Sequence, residues 1–272
     1  MKSILVHAND DTAMEARMQA ALDIARATNG HITFLQSVSY EVFAPGDFYG
    51  SAMAAALPVI KQAAEEFRAA TEADLANEDA NWEWKFRYGM AESRLLEQSA
   101  LHDLIIVGPN DVGEDGAQRP SSMVGELTLK APTPVLVVPA DTKRLDVRAP
   151  MLVAWNGSSE ACVALRAAVP MLAMASNVYL AWVSEPNDKN RYDFRPDEAA
   201  EYLSRHGIKT EIVEIPRGEA KISDTLFSAA QMRECSMMVM GAYGHSRLAE
   251  MLLGGVTRRS LTDPQLPIFL AH

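Results

Sequence analysis

Ile4-Leu5-Val6-His7-Ala8-Asn9-Asp10-Asp11 and Met151-Leu152-Val153-Ala154-Trp155-Asn156-Gly157-Ser158 are two versions of one pattern. Each is a short apolar run that reads as a buried strand, and each runs into a polar turn that opens a helix. Thr12 with Glu15 makes a capping-box signature for the first helix, which the Asn29-Gly30 pair ends. Ser158 or Ser159 caps the second helix, which runs to about Ala175.

The repeat continues outward from these two stretches. A second strand follows at Ile32 to Val38 and at Val178 to Val183. A longer helix comes next, from Pro58 to about Asn77 in the first half and from Pro196 to His206 in the second, where Gly207 is the stop. Third strands are expected at Trp82 to Arg87 and Glu211 to Ile215, and shorter helices at Ala91 to Ser99 and Ile222 to Gln231. Fourth strands fall at Leu104 to Val107 and Met237 to Met240, and both halves close alike, with Pro134 to Val138 matching Pro267 to Ala271. Strands alternating with helices at this rhythm imply right-handed crossovers and a parallel sheet covered on both faces. The chain therefore reads as two α/β domains of one ancestry, residues 1–143 and 144–272. The boundary is set in the charged, aperiodic stretch Ala140 to Asp146.

Composition narrows the setting. The chain has 272 residues, 48% hydrophobic and 22% charged, the balance of a folded globular protein. A net charge of −11 argues against nucleic acid as a partner, which needs a basic footprint. No run approaches the ~20 apolar residues of a membrane span, and the N-terminus enters a strand pattern without the features of a signal peptide. A cytoplasmic location and no membrane partner are the expectations. Cys162 and Cys235 form neither a CxxC motif nor a disulfide framework and read as buried reduced thiols.

One motif carries chemistry. After the fourth strand of the second half the chain reads Gly241-Ala242-Tyr243-Gly244, then nine residues, then Gly254-Gly255-Val256-Thr257. Glycines at a strand end let the backbone turn tightly and approach a ligand closely. Gly254 and Gly255 precede a helical segment, Val256 to Leu261, whose free N–H groups and positive dipole end suit a phosphate.

On these residues the chain resembles the universal stress protein family in its tandem, two-domain form, over nearly its whole length. Gly241, Gly244 and Gly254 fall on the spacing of the family's nucleotide-binding members, a Gly, two residues, Gly, nine residues, then Gly-Ser or Gly-Thr. The resemblance implies five parallel strands per domain in the order 3-2-1-4-5, with a ligand crevice between strands 1 and 4. It implies ATP or another adenine nucleotide as ligand, with Mg²⁺ bound through the phosphates. Gly255 stands where Ser or Thr is usual, and Thr257 matches another phosphate contact. Asn156 stands where the family carries Asp, and its amide still offers hydrogen bonds to a nucleoside. Ala154 replaces a common proline. Val183 matches a position whose backbone meets the adenine edge. His245 and Arg247 follow Gly244, within reach of phosphates, whereas Arg258 and Arg259 belong on a helix surface.

The first half lacks the motif. After Gly108 comes Pro109-Asn110-Asp111-Val112-Gly113-Glu114-Asp115, with no second glycine at the right spacing and three carboxylates that repel a polyphosphate. Ser121-Ser122 stand opposite Gly254-Gly255. No Walker A loop and no nucleophile elbow is present, and Glu219 and Asp224 are explained by helix capping and solvation. The expected function is an ATP-binding stress-response regulator with slow or no hydrolysis and an unknown protein partner. The alternative is a scaffold whose nucleotide pocket is vestigial. The two fifth strands are apolar sheet edges and are expected to meet across a pseudo-twofold axis, so that one chain resembles a homodimer, with further dimerisation left open.

Overall fold

The computed structural model describes residues 1–39, 48–112, 118–184, 194–216, 218–242 and 255–272 of the chain. In the first half the elements are β1 (Ser3–Ala8), α1 (Met14–Thr28), β2 (His31–Val38), α2 (Phe48–Leu75), β3 (Asn81–Tyr88), α3 (Ala91–Ser99), β4 (Leu104–Val107), β5 (Asn110–Val112), β6 (Gln118–Pro120), α4 (Ser122–Lys130) and β7 (Val135–Val137). The second half repeats them as β8 (Met151–Ala154), α5 (Ser159–Leu172), β9 (Val178–Ser184), α6 (Pro196–Arg205), β10 (Thr210–Pro216), α7 (Ile222–Met232), β11 (Met237–Gly241), α8 (Gly255–Thr262) and β12 (Ile268–Ala271).

Ten strands form one sheet in the order β10-β9-β8-β11-β12-β7-β4-β1-β2-β3. Each half has the order 3-2-1-4-5, and its own strands run parallel. The halves join where β12 pairs antiparallel with β7, Ile268 opposite Val137 and Leu270 opposite Val135. The fifth strands do meet, so two five-stranded sheets become one.

Both faces of every central strand are buried, which is why the strands read as unbroken apolar runs rather than alternating ones. Ile4, Val6, Leu104, Leu136, Phe269 and Val239 face one core, under α1, α2, α5 and α6. Leu5, Ile105, Val135, Ile268, Leu270 and Met238 face the other, under α3, α4, α7 and α8. Both cores run through the junction of the halves. There α4 lies against β12 and α8 against β6, so the last helix of each half crosses onto the other.

Some local readings need correction. Thr12 and Glu15 do not cap α1: its N-cap position is Ala13, with no side-chain cap bond, and Asp11 Oδ1 instead accepts from the Ala13 N–H at 2.8 Å. The Asp11 carboxylate thereby satisfies an amide at the start of the helix. Pro58 does not begin α2 but lies inside it, because the alanine-rich turns before it favour helix strongly enough to carry the chain through. Cys162 and Cys235 are not joined in a disulfide and are half-buried rather than buried. Burial still pushes the Cys235 thiol up to about 11, with Arg233 opposing, so it stays protonated near neutrality. The short antiparallel hairpin of β5 with β6 is an element that the repeat did not announce.

Candidate functional site

In an open α/β sheet the ligand crevice lies beyond the carboxyl ends of the strands where the strand order reverses. In the second half that point is the end of β8 beside β11, paired through Ala154 and Met240. The backbone is held firmly there. The Trp155 N–H donates to the Ala181 carbonyl at 2.8 Å, and Asn156 Oδ1 accepts from the Ser158 N–H at 3.1 Å. Gly157 has φ of +72°, the left-handed region that most side chains resist. Ser158 is the N-cap of α5, its Oγ accepting from the Ala161 N–H at 3.2 Å.

Gly241 closes the other side. A Cβ placed on it would lie 2.6 Å from the Ala161 nitrogen and 2.6 Å from the Glu160 carbonyl carbon, so the first turn of α5 packs directly on the end of β11. Its glycine is required by that close approach. Downstream, α8 starts at Gly255, with Val256 and Thr257 in its first turn and Thr257 buried. Ser260, one turn further, is fully buried, and its Oγ has no partner among the described residues. A serine inside a helix carries no local signal in the sequence that would mark it.

The other expected site residues are placed as follows. Ala154 is half-buried at the end of β8, and Asn156 is exposed in the turn. Val183 is part-buried in β9 and packs on the core under α7. Gly244, His245, Arg247 and Gly254 lie outside the described residues. Among the described residues no hydrogen bond links Asn156 to the first turn of α8.

The equivalent place in the first half is built differently. Arg17, buried at 1% exposure, donates from Nη1 to Asp11 Oδ1 at 2.9 Å and from Nη2 to Asp11 Oδ2 at 3.0 Å. Arg17 Nη2 also donates to the Asn9 carbonyl at 3.1 Å, and Asn9 Nδ2 donates to Asp11 Oδ2 at 3.0 Å. Gly108, the counterpart of Gly241, faces this guanidinium: a Cβ there would lie 2.7 Å from Arg17 Nη1. The turn after β1 is thus tied up by its own side chains, where the turn after β8 has Ser158 in place of Asp11 and Ala164 in place of Arg17. Burial raises the Asp11 carboxyl, but the Arg17 charge and the bonds from Arg17, Asn9 and the Ala13 N–H together hold it below its usual value. His7, next to this pair on β1, is pushed down to about 3 by burial first and then by the charge of Arg17, with Asp11 opposing. It is neutral in the folded protein. The sequence offered one signal for Arg17, an arginine on the same helical face as Met14, Ala21 and Ile24.

A shallow cavity of about 450 Å³, lined by residues including Lys2, His31, Asn81 and Trp82, sits at the opposite, amino end of β1 to β3 and has no part in the crevice. Among the described residues no group of three or more His, Cys, Asp or Glu is placed to hold a metal ion, and no helix is long and apolar enough to cross a membrane.

The fold defines a class, a duplicated doubly wound α/β protein with a topological switch point in each half. Residues 148–270 match the universal stress protein family by sequence. Solved structures match the fold of the whole chain. A universal stress protein from Archaeoglobus fulgidus DSM 4304 is 16% identical with a TM-score of 0.66, the alignment covering 99% of this chain and 96% of that one. A candidate universal stress protein from Pseudomonas aeruginosa UCBPP-PA14 is 20% identical with a TM-score of 0.59, covering 100% and 93%. A functionally unknown protein from Pseudomonas aeruginosa PAO1 has the same identity, 20%, and the same TM-score, 0.59, covering 100% and 92%. No curated protein matches the sequence. The second half thus matches the universal stress protein family by sequence, and the whole length shares its fold with solved structures of proteins of that name.

Proposed function

We propose that the second half binds an adenine nucleotide, ATP, and that the chain is a nucleotide-dependent regulator of the stress response rather than a dedicated enzyme. The observation that carries this reading is Gly241 at the switch point, with the family's glycine spacing running from it into the start of α8. The phosphates lie along Gly241, Gly244, Gly254, Gly255, Val256 and Thr257, held by backbone N–H groups and the dipole of α8. The nucleoside lies over Asn156 and Val183. Mg²⁺ arrives with the phosphates, since no protein cage for it is built by the described residues. The unit boundary is proposed at residues 143/144, and the location as cytoplasmic. The first half, with Asn9 and Asp11 consumed by Arg17, serves as the partner fold and binds no nucleotide.

Backbone donors stabilise ground and transition states alike unless aimed at developing charge, so ATP turnover is expected far below the ~1 s⁻¹ of slow dedicated enzymes. His245 and Arg247 are the side chains nominated to support any residual hydrolysis. The scaffold reading has one observation in its favour, that the acceptor oxygen of Asn156 is already engaged by the Ser158 N–H within its own turn.

Titration calorimetry with ATP on the wild type, Gly244→Val and Gly254→Val decides between them. Binding by the wild type and loss in both folded variants is the expected result. Unchanged affinity in both variants ends the assignment of the phosphate turn, and a wild type that binds no adenine nucleotide leaves the scaffold reading.

A further inference from the structure

Trp155 follows β8 and is 4% exposed, where the first half has Ala8. Its indole Nε1–H donates to the Phe194 carbonyl at 3.3 Å, and the Phe194 N–H donates to the Gly157 carbonyl at 3.1 Å. Phe194 is thereby fastened to the residues on both sides of Asn156. Directly after it the Arg195 N–H donates to Glu198 Oε2 at 2.8 Å and Pro196 opens α6, so the backbone is fixed from both directions. The ring itself remains 45% exposed.

Single exposed apolar side chains are ordinary, and Val59, Leu101 and Met232 need no explanation. Phe194 differs in place. A buried tryptophan and a turn carbonyl are both engaged in holding its backbone at the carboxyl end of β8, where this fold receives ligands, while its large flat side chain is left in water. An exposed aromatic ring carried on a held backbone beside hydrogen-bonding groups is an arrangement by which proteins stack a nucleobase.

We propose that Phe194 stacks on the base of the bound nucleotide and makes the crevice select a nucleobase over phosphate alone. This rests on the nucleotide reading above and deepens it. Stacking tolerates any flat base, so Phe194 sets the ligand class, and hydrogen bonds from the Asn156 turn choose within it.

The test is calorimetry with ATP and with inorganic tripolyphosphate on the wild type, Phe194→Ala and Phe194→Trp. Phe194→Ala should weaken ATP by roughly 5- to 150-fold, the range that base stacking on an aromatic side chain supplies, and leave tripolyphosphate binding unchanged. Phe194→Trp should keep ATP affinity near that of the wild type. Equal ATP affinity in wild type and Phe194→Ala overturns the proposal, as do equal losses for both ligands, which report a disturbed turn instead of a lost stack. A wild type that binds neither ligand overturns the nucleotide reading itself, and the stacking proposal falls with it.

Discussion

Arg17 grips Asp11 with both terminal nitrogens of its guanidinium, at 2.9 and 3.0 Å, at the position where the second half has only Ala164 and Ser158. Removing one member of a buried pair leaves the other as an uncompensated charge, which costs about 3–5 kcal/mol. Arg17→Ala and Asp11→Ser should each therefore be strongly destabilised in urea unfolding, and the two together should lose much less than the sum of the single losses. Losses that simply add in the double variant would mean that the pair contributes no mutual energy. Asp11 also sets an acid limit: its folded pKa lies below 3.8, so its contribution is present above that value and disappears as the pH falls through the lowered one.

His7 acts in a separate window. Its pKa falls from 6.5 to about 3 on folding, so the unfolded chain takes up a proton that the folded protein refuses. Stability from this residue is complete above pH 6.5 and declines as the pH falls towards 3. By pH ~5 the loss is about 2 kcal/mol. His7→Ala, which copies Ala154, should show a visibly flatter fall in unfolding free energy between neutral pH and pH ~5. The same slope in both proteins would acquit His7.

Gly241 and Gly108 are counterparts with different neighbours, and substitution should separate them. A methyl group at Gly241 meets backbone of α5, 2.6 Å away, which cannot yield without moving the helix. At Gly108 it meets the far end of a side chain, Arg17 Nη1 at 2.7 Å. Overpacking of this kind costs about 1–3 kcal/mol, so Gly241→Ala belongs at the upper end and Gly108→Ala at the lower. Thermal unfolding in which Gly108→Ala proves the worse variant would contradict this account of the two strand ends.

The junction of the sheets offers a fourth test. In a fragment of residues 144–272 the edge of β12, with Ile268, Phe269 and Leu270, loses its cover from β7. Apolar strand edges seek partners, so the fragment should self-associate at micromolar concentration in light scattering, with β12 paired to its own copy. A fragment that stays monomeric and folded would show that the edge needs no cover.

Much of this architecture was legible because the signals were local and strong. Leu104–Val107 and Ala91–Ser99 have in the structure the bounds that their apolar runs and flanking residues imply, and Ser158 and Pro196 mark helix starts that the structure contains. The meeting of β7 with β12 followed from two apolar edges. The hairpin Asn110–Val112 with Gln118–Pro120 was not legible, since three-residue strands are too short to show alternation. The Arg17 pair was missed for a different reason: its partner lies in a turn, and only the folded chain shows that the turn closes over that helical face. In the candidate site the glycine pattern was readable, but the fastening of Phe194 by Trp155 spans 39 positions and exists only in three dimensions.

Because β7 and β12 belong to one polypeptide, their pairing is a unimolecular event, independent of how much protein is present. In a symmetric dimer of identical chains every substitution is made twice, and both crevices must tolerate it. Here each change is made once. One strand end is stapled by Arg17 and Asp11 while the other has Gly241 against α5 and Trp155 behind it, a difference that a dimer of identical chains cannot make.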